Sequence, residues 1–213
     1  MKHAKWIQVR RSRMAHLKLF SAGPCLRILL VVLVFSQVSC VDHSNPDKTY
    51  SKFYVVRHAE RYAGFNGHLT WYGRERAGDL RRLLQDSGIQ KIYITPYSRT
   101  LETADSLRLQ QKTDTVIYLV DTSGADLGRL LKRKKDYGKN ILIVGHGNTV
   151  PGILRMLGAS YPSDQLPDSV YNLMFEVIND HGKVHMRAFH YGRANLADTS
   201  TAMVHLAAED STK

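Results

Sequence analysis

The chain of 213 residues has only two cysteines, Cys25 and Cys40, and both fall within its first forty residues. No cysteine pair is left beyond them for a disulfide framework, so the folded part must be held by an apolar core. Acidic residues are missing from residues 1–39, where seven Lys/Arg occur. That imbalance supplies most of the formal charge of +11: beyond it, 23 basic residues face 19 acidic ones, a net of +4. The excess charge belongs to a leader, and no nucleic-acid partner is expected from it. Long apolar runs are lacking too. Ile28–Phe35 has eight residues, well short of the roughly 20 that a membrane-spanning helix needs. There is no internal repeat and no low-complexity block. What remains, 43% hydrophobic and 23% charged, suits one soluble domain with appendages.

Residues 1–39 follow the tripartite plan of a secretory signal. A basic stretch ends at Arg27, the apolar run follows, and Ser36–Ser39 is small and polar. Met14 is an alternative start, since Met14–Cys40 alone has the usual proportions of such a leader. The lone Cys40 after Val38-Ser39 resembles the lipidation site of a bacterial lipoprotein signal, with Gln37 departing from the aliphatic residue usual there. Lipidation of Cys40 is the preferred expectation, and plain secretion or an uncleaved anchor are the alternatives. All three put the domain outside the cytoplasm, at the cell envelope. Residues 40–51 are polar, contain Asn45-Pro46-Asp47 and read as a tether. The folded domain is expected over residues 52–191, and residues 192–213 as a loose tail.

Phe53–Val56 is a short β-branched and aromatic run, hence a buried strand. Leu69–Leu84 has helical spacing after a possible Thr70 cap and ends at Ser87-Gly88. Strands at Lys91–Thr95, Thr115–Val120 and Asn140–Val144 alternate with helices at Ser98–Leu109, Asp126–Lys135 and Val150–Leu157. A final strand pair, Leu173–Val177 and Val184–His190, flanks the turn Asn179–Gly182. The alternation implies an α/β fold, a three-layer α/β/α sandwich around a mostly parallel central sheet.

Three segments fall at the carboxyl ends of these strands, where open α/β sheets place ligand sites. They are Arg57–Glu60, Thr95–Thr103 and Gly145–Thr149. Together they bring Arg57, Arg99, His58 and His146 towards one edge of the sheet. Guanidinium groups match phosphate geometry and stay charged at any working pH. The helix start after His146 offers N–H groups to an anion, and Gly145 and Gly147 permit close backbone approach. An imidazole held neutral among such cations can attack phosphorus.

These motifs resemble those of the histidine phosphatase (phosphoglycerate mutase-like) superfamily. Arg57-His58-Ala59 stands for the hallmark Arg-His-Gly, with Ala59 departing from glycine. Leu69–Ala77 matches Leu-Thr-x-x-Gly-x-x-x-Ala. Thr95–Thr103 matches Ser-Pro-x-x-Arg-x-x-Gln-Thr, with Thr95 for Ser and Glu102 for Gln. Gly145–Thr149 matches the late Gly-His-Gly/Ser-Asn-Thr. The resemblance implies a phosphoglycerate mutase-like fold, with His58 as a nucleophile that becomes phosphohistidine. Arg57, Arg99 and His146, with Gly147 and Asn148 of the same turn, would bind the phosphoryl oxygens. It implies a small phosphorylated substrate, no cofactor and no metal.

The proton donor for the leaving group is the open position. Asp121, after the third strand, and Glu60, beside the nucleophile, are the two candidates, against the alternatives that Asp121 caps a loop and Glu60 pairs with an arginine. Glu102 reads as structural. Tyr62, Phe65, Trp71 and Tyr97 are aromatics near the expected mouth, with Trp71 also a candidate for the core. His181, His185 and His190 read as surface residues of the strand pair. The favoured function is phosphomonoester hydrolysis. A mutase-type phosphotransferase, a phosphatase acting on envelope glycolipid phosphate and a non-catalytic phospho-ligand binding module are the alternatives. The short connections of residues 52–191 argue against the mutase, because retaining a phosphoryl group requires a larger lid.

Overall fold

The computed structural model describes residues 42–194, so the leader, Cys40 and the tail beyond Ala194 lie outside the described residues. Six strands form one sheet: β1 (Tyr50–Arg57), β2 (Lys91–Ile94), β3 (Thr115–Ile117), β4 (Asn140–Gly145), β5 (Leu173–Asp180) and β6 (Lys183–His190). Their order is β3-β2-β4-β1-β5-β6. β1 to β4 are mutually parallel, while β5 and β6 run antiparallel at one edge.

Period-two alternation sends neighbouring residues of each central strand to opposite faces. Phe53, Val55, Ile141 and Ile143 join one buried cluster, and Tyr54, Val56, Leu142 and Val144 join the other. On the second face lie helices α1 (Trp71–Leu84) and α2 (Ser98–Gln111), through Leu80, Leu84, Ala104 and Leu107. On the first lie α3 (Ala125–Lys134) and α4 (Val150–Met156), through Leu127, Leu131, Ile153 and Leu154. These leucines and isoleucines are fully buried. Each contributes about 1.5–3 kcal/mol relative to exposure, so both faces hold without disulfides. The expected three-layer sandwich is the fold observed.

Three boundaries differ from the sequence expectation. β3 stops at Ile117 rather than Val120, because the Leu119 N–H turns aside to the Asp126 carboxylate at 2.8 Å. β5 and β6 extend to a two-residue turn. His181 (φ 51°) and Gly182 (φ 89°) both take positive φ, as this tight hairpin turn requires.

The third correction concerns the stretch read as a tether, which from Asp42 onwards is packed on the domain. Asn45 caps a 3₁₀ turn, Pro46–Lys48. The His43 carbonyl accepts from the Tyr137 N–H, and Ser51 accepts from the Gly138 N–H at 2.7 Å. Asn179 donates to the Pro46 carbonyl, and Thr49 and Ser51 are buried. Polar composition here reflects backbone and side-chain pairing rather than solvation.

Candidate active site

The site is built where three neighbouring strands end. β1 runs straight into Arg57-His58, and the His58 N–H continues the parallel pairing by donating to the Gly145 carbonyl at 2.9 Å. β4 delivers His146, and β2 leads through Thr95 to Tyr97 and Arg99. The loop after His58 is pinned from two sides. Thr103 accepts the Ala59 N–H, and Thr70 donates its N–H to the Glu60 carbonyl. Gly73 is required at this junction, since a Cβ there would stand 2.1 Å from the Glu60 carbonyl oxygen. Ala59 is fully buried against Leu69 and Ala77, so its methyl is accommodated where the hallmark has glycine.

His58, Arg57 and His146 are buried, and with Arg99 they line a cavity of about 670 Å³. His58 Nδ1 lies 2.8 Å from the Ala59 carbonyl oxygen. A carbonyl only accepts, so Nδ1 carries the proton and Nε2 keeps its lone pair. Burial lowers the His58 pKa to about 3, and the charges of His146, Arg57 and Arg99 reinforce it against the Ala59 hydrogen bond. His146 is lowered to about 4, again first by burial and then by Arg99, Arg57 and Arg61. Its Nε2 pairs with the Thr95 hydroxyl at 3.0 Å, and its ring sits 5.3 Å from that of His58. Both imidazoles are therefore neutral in the empty pocket at neutral pH.

The guanidinium groups are clamped but not satisfied. Arg57 Nη1 donates to the carbonyls of Pro167 and Asp168 at 2.9 and 3.0 Å, and its Cζ lies 4.2 Å from the Tyr171 ring centre. Arg99 donates to the Phe65 carbonyl and stacks 4.2 Å over Tyr97. The Nε atoms of both arginines are buried without a hydrogen-bond partner. The guanidinium groups of Arg57 and Arg99, lining the cavity beside a neutral imidazole, make a socket for a tetrahedral oxyanion.

Both expected proton donors are committed elsewhere. Asp121 caps the turn into α3, accepting from the Ser123 hydroxyl and from the N–H groups of Ser123, Ala125 and Asp126. Burial alone raises its pKa, but these hydrogen bonds outweigh it and bring the group to about 2, which rules out an acid at neutral pH. Glu60 is held by Arg76, which donates from both Nε and Nη2. Asp168 is the carboxyl that lines the cavity, exposed at its rim and 3.9 Å from Arg57. No sequence motif marked Asp168, Tyr171 or Arg61, which reach the cavity from loops.

Other expectations also change. The N–H groups of Thr149 and Val150 donate to the His146 carbonyl, so the start of α4 keeps them from an anion. Gly147 and Asn148 do line the cavity. A Cβ at Gly147 would come no closer than 3.5 Å to Arg57, so close approach does not require glycine there. Of the four aromatics only Tyr97 lines the cavity. Phe65 packs edge-on against Tyr97, while Trp71 is 54% exposed and lies against Tyr72, outside the core. Glu102 is structural, as expected, binding the Leu69 N–H and His68. His181 pairs with Asp180 and His190 with Asn172, and His185 is exposed on β6.

The family model of the histidine phosphatase superfamily (branch 1) matches residues 53–122. That segment is similar to the histidine phosphatase superfamily. It carries Arg57, His58 and Arg99, while His146 lies beyond it. The fold agrees with the alpha-ribazole phosphatase from Shigella flexneri, at a TM-score of 0.52 and 16% identity, covering 68% of this chain and 100% of that one. A phosphoserine phosphatase mutant from Entamoeba histolytica, solved with phosphoserine, gives a TM-score of 0.48 at 18% identity, covering 66% of this chain and 96% of that one. Comparison with curated proteins gives no match.

Proposed function

We propose that this protein is a phosphatase that hydrolyses a small phosphomonoester through a phosphohistidine on His58. The observation that carries this reading is the pairing of a neutral His58, its proton fixed on Nδ1, with the guanidinium groups of Arg57 and Arg99 that line the same cavity. In the first step the Nε2 lone pair forms the N–P bond as the P–O ester bond breaks. The departing oxygen takes up a proton. In the second step water attacks phosphorus, the N–P bond breaks, and inorganic phosphate leaves with His58 neutral again. The charge developing on the transferred group is met by Arg57, Arg99 and His146.

Hydrolysis is favoured over mutase-type transfer by the open rim, where the Asp168 side chain is 87% exposed and water has access. A mere phospho-ligand binder would not need a nucleophile with its proton fixed on the far nitrogen. The superfamily match and the phosphatase neighbours support the same class. We also place the domain at the cell envelope, outside the cytoplasm and held by lipidated Cys40, on the strength of the leader pattern.

In the test, the His58→Ala variant and the wild type are offered p-nitrophenyl phosphate and a ³²P-labelled phosphomonoester. The variant should fold, lose turnover by roughly 10³-fold or more, and show no base-stable, acid-labile label. Wild-type turnover in His58→Ala would sink the mechanism. Release of a Cys40→Ala variant from membranes supports the anchor, and unchanged membrane association counts against it.

A further inference from the structure

The end of the domain opposite the pocket carries a concentration of positive charge that hydrolysis does not use. The parallel strands begin there, at Tyr50, Lys91, Thr115 and Asn140, and α3 ends there. Lys132, Arg133, Lys134 and Lys135 are consecutive and exposed, and none has a salt bridge among the described residues. A cation near a helix C-terminus offsets the helix dipole, but that effect fades within one turn and does not call for four. Lys112 and Lys134 line a shared depression with Lys91, and Lys48 is exposed beside the first residues. Lys91 and Lys139 are paired, with Asp114 and Asp136. The other acidic groups at this end are Asp42, Asp47, Asp86 and Asp180, all exposed.

The first described residue sits in the middle of this patch. Asp42 lines a groove with Lys132 and feels the charges of Lys48 and Lys135. Cys40 precedes it by two residues in the sequence. We propose that this basic end is a docking surface for anionic phospholipid headgroups, which holds the domain on the membrane with its phosphate pocket turned away. The inference rests on the envelope location proposed above. Strand β1, eight residues long, sets the height of the pocket over that surface at about 26 Å, using the usual rise per strand residue. A phosphate in the headgroup layer of the same bilayer is then out of reach, so the substrate is a soluble phosphomonoester rather than a glycolipid.

The test uses the full-length protein and the variant Lys132→Gln/Lys134→Gln/Lys135→Gln. Flotation measures partition onto vesicles of neutral phosphatidylcholine and onto vesicles with a third phosphatidylglycerol, at low salt. Each basic residue near an anionic surface is worth about fivefold, so the triple variant should lose on the order of 100-fold of the preference for anionic vesicles. Its partition onto neutral vesicles and its p-nitrophenyl phosphate turnover should be unchanged, which also shows that it folds. An equal anionic preference in both proteins overturns the proposal, because the leader is then responsible. Loss of binding to an RNA oligonucleotide with vesicle preference retained also overturns it, and reassigns the surface to nucleic acid. The Cys40→Ala fractionation and the vesicle assay read different things, so the anchor and the docking surface can fail separately.

Discussion

Acid should destabilise this domain through its two pocket histidines, by an increment that one substitution halves. His58 and His146 sit at about 3 and about 4 in the folded state, against the ordinary histidine value of 6.5. As the pH falls below 6.5 the unfolded chain binds these protons first. Stability is therefore full above about pH 6.5 and is lost progressively towards the folded values. At pH 5 each histidine costs about 2 kcal/mol relative to pH 7, so the pair costs about 4 kcal/mol. That is a large fraction of a typical domain's total stability of about 5–15 kcal/mol. His58→Asn isolates one half, since the shorter amide can still donate to the Ala59 carbonyl but does not titrate. Urea unfolding followed by circular dichroism at pH 7 and pH 5 measures the difference directly. The wild type should lose about 2 kcal/mol more than His58→Asn over that interval. Identical pH dependence in the two proteins would refute the claim that His58 is buried neutral.

Four further outcomes follow from the same geometry. Asp121→Ala should lower stability by about 1 kcal/mol, as the loss of a helix-start cap does, and leave aryl phosphate turnover unchanged; thermal melting and a p-nitrophenyl phosphate assay check both. Asp168→Asn should change alkyl and aryl phosphate turnover alike and by less than about tenfold, because the exposed carboxyl only approaches Arg57 at 3.9 Å; parallel assays of the two substrates check it. Arg99→Lys should lower kcat/KM by about 100-fold, because lysine has neither the forked guanidinium nor the planar face that stacks on Tyr97. Gly152→Ala should destabilise by about 3 kcal/mol, read by chemical denaturation, because its Cβ would stand 1.8 Å from the Thr122 carbonyl oxygen.

The strands and helices were legible because their burial follows simple periods. Phe53–Val56 and Ile141–Val144 are continuously apolar, as strands covered on both faces must be. The four central site residues were legible because each lies at a strand's carboxyl end or in the segment that follows it, Arg99 on the first turn of α2, where chain direction dictates position. The proton donor was not. A carboxylate's role depends on which donors surround it, and Asp121 meets three backbone N–H groups that no local pattern reveals. Asp168 and Tyr171 are brought to the cavity by a long loop whose path is set by Arg57 seizing its carbonyls. The stretch before β1 looked like a tether because its hydrogen bonds are made with residues 137–138 and 179, distant in sequence.

β1 lies between β4 and β5, and its last residues are the business end of the molecule. A strand with neighbours on both sides and helices over both faces has no edge from which to fray. Hydrogen exchange at Val55, Val56 and His58 should be among the slowest in the chain, proceeding through global opening. Turnover then serves as a gauge of cooperative unfolding. On heating, activity and structure should disappear together, with no inactive but folded intermediate between them.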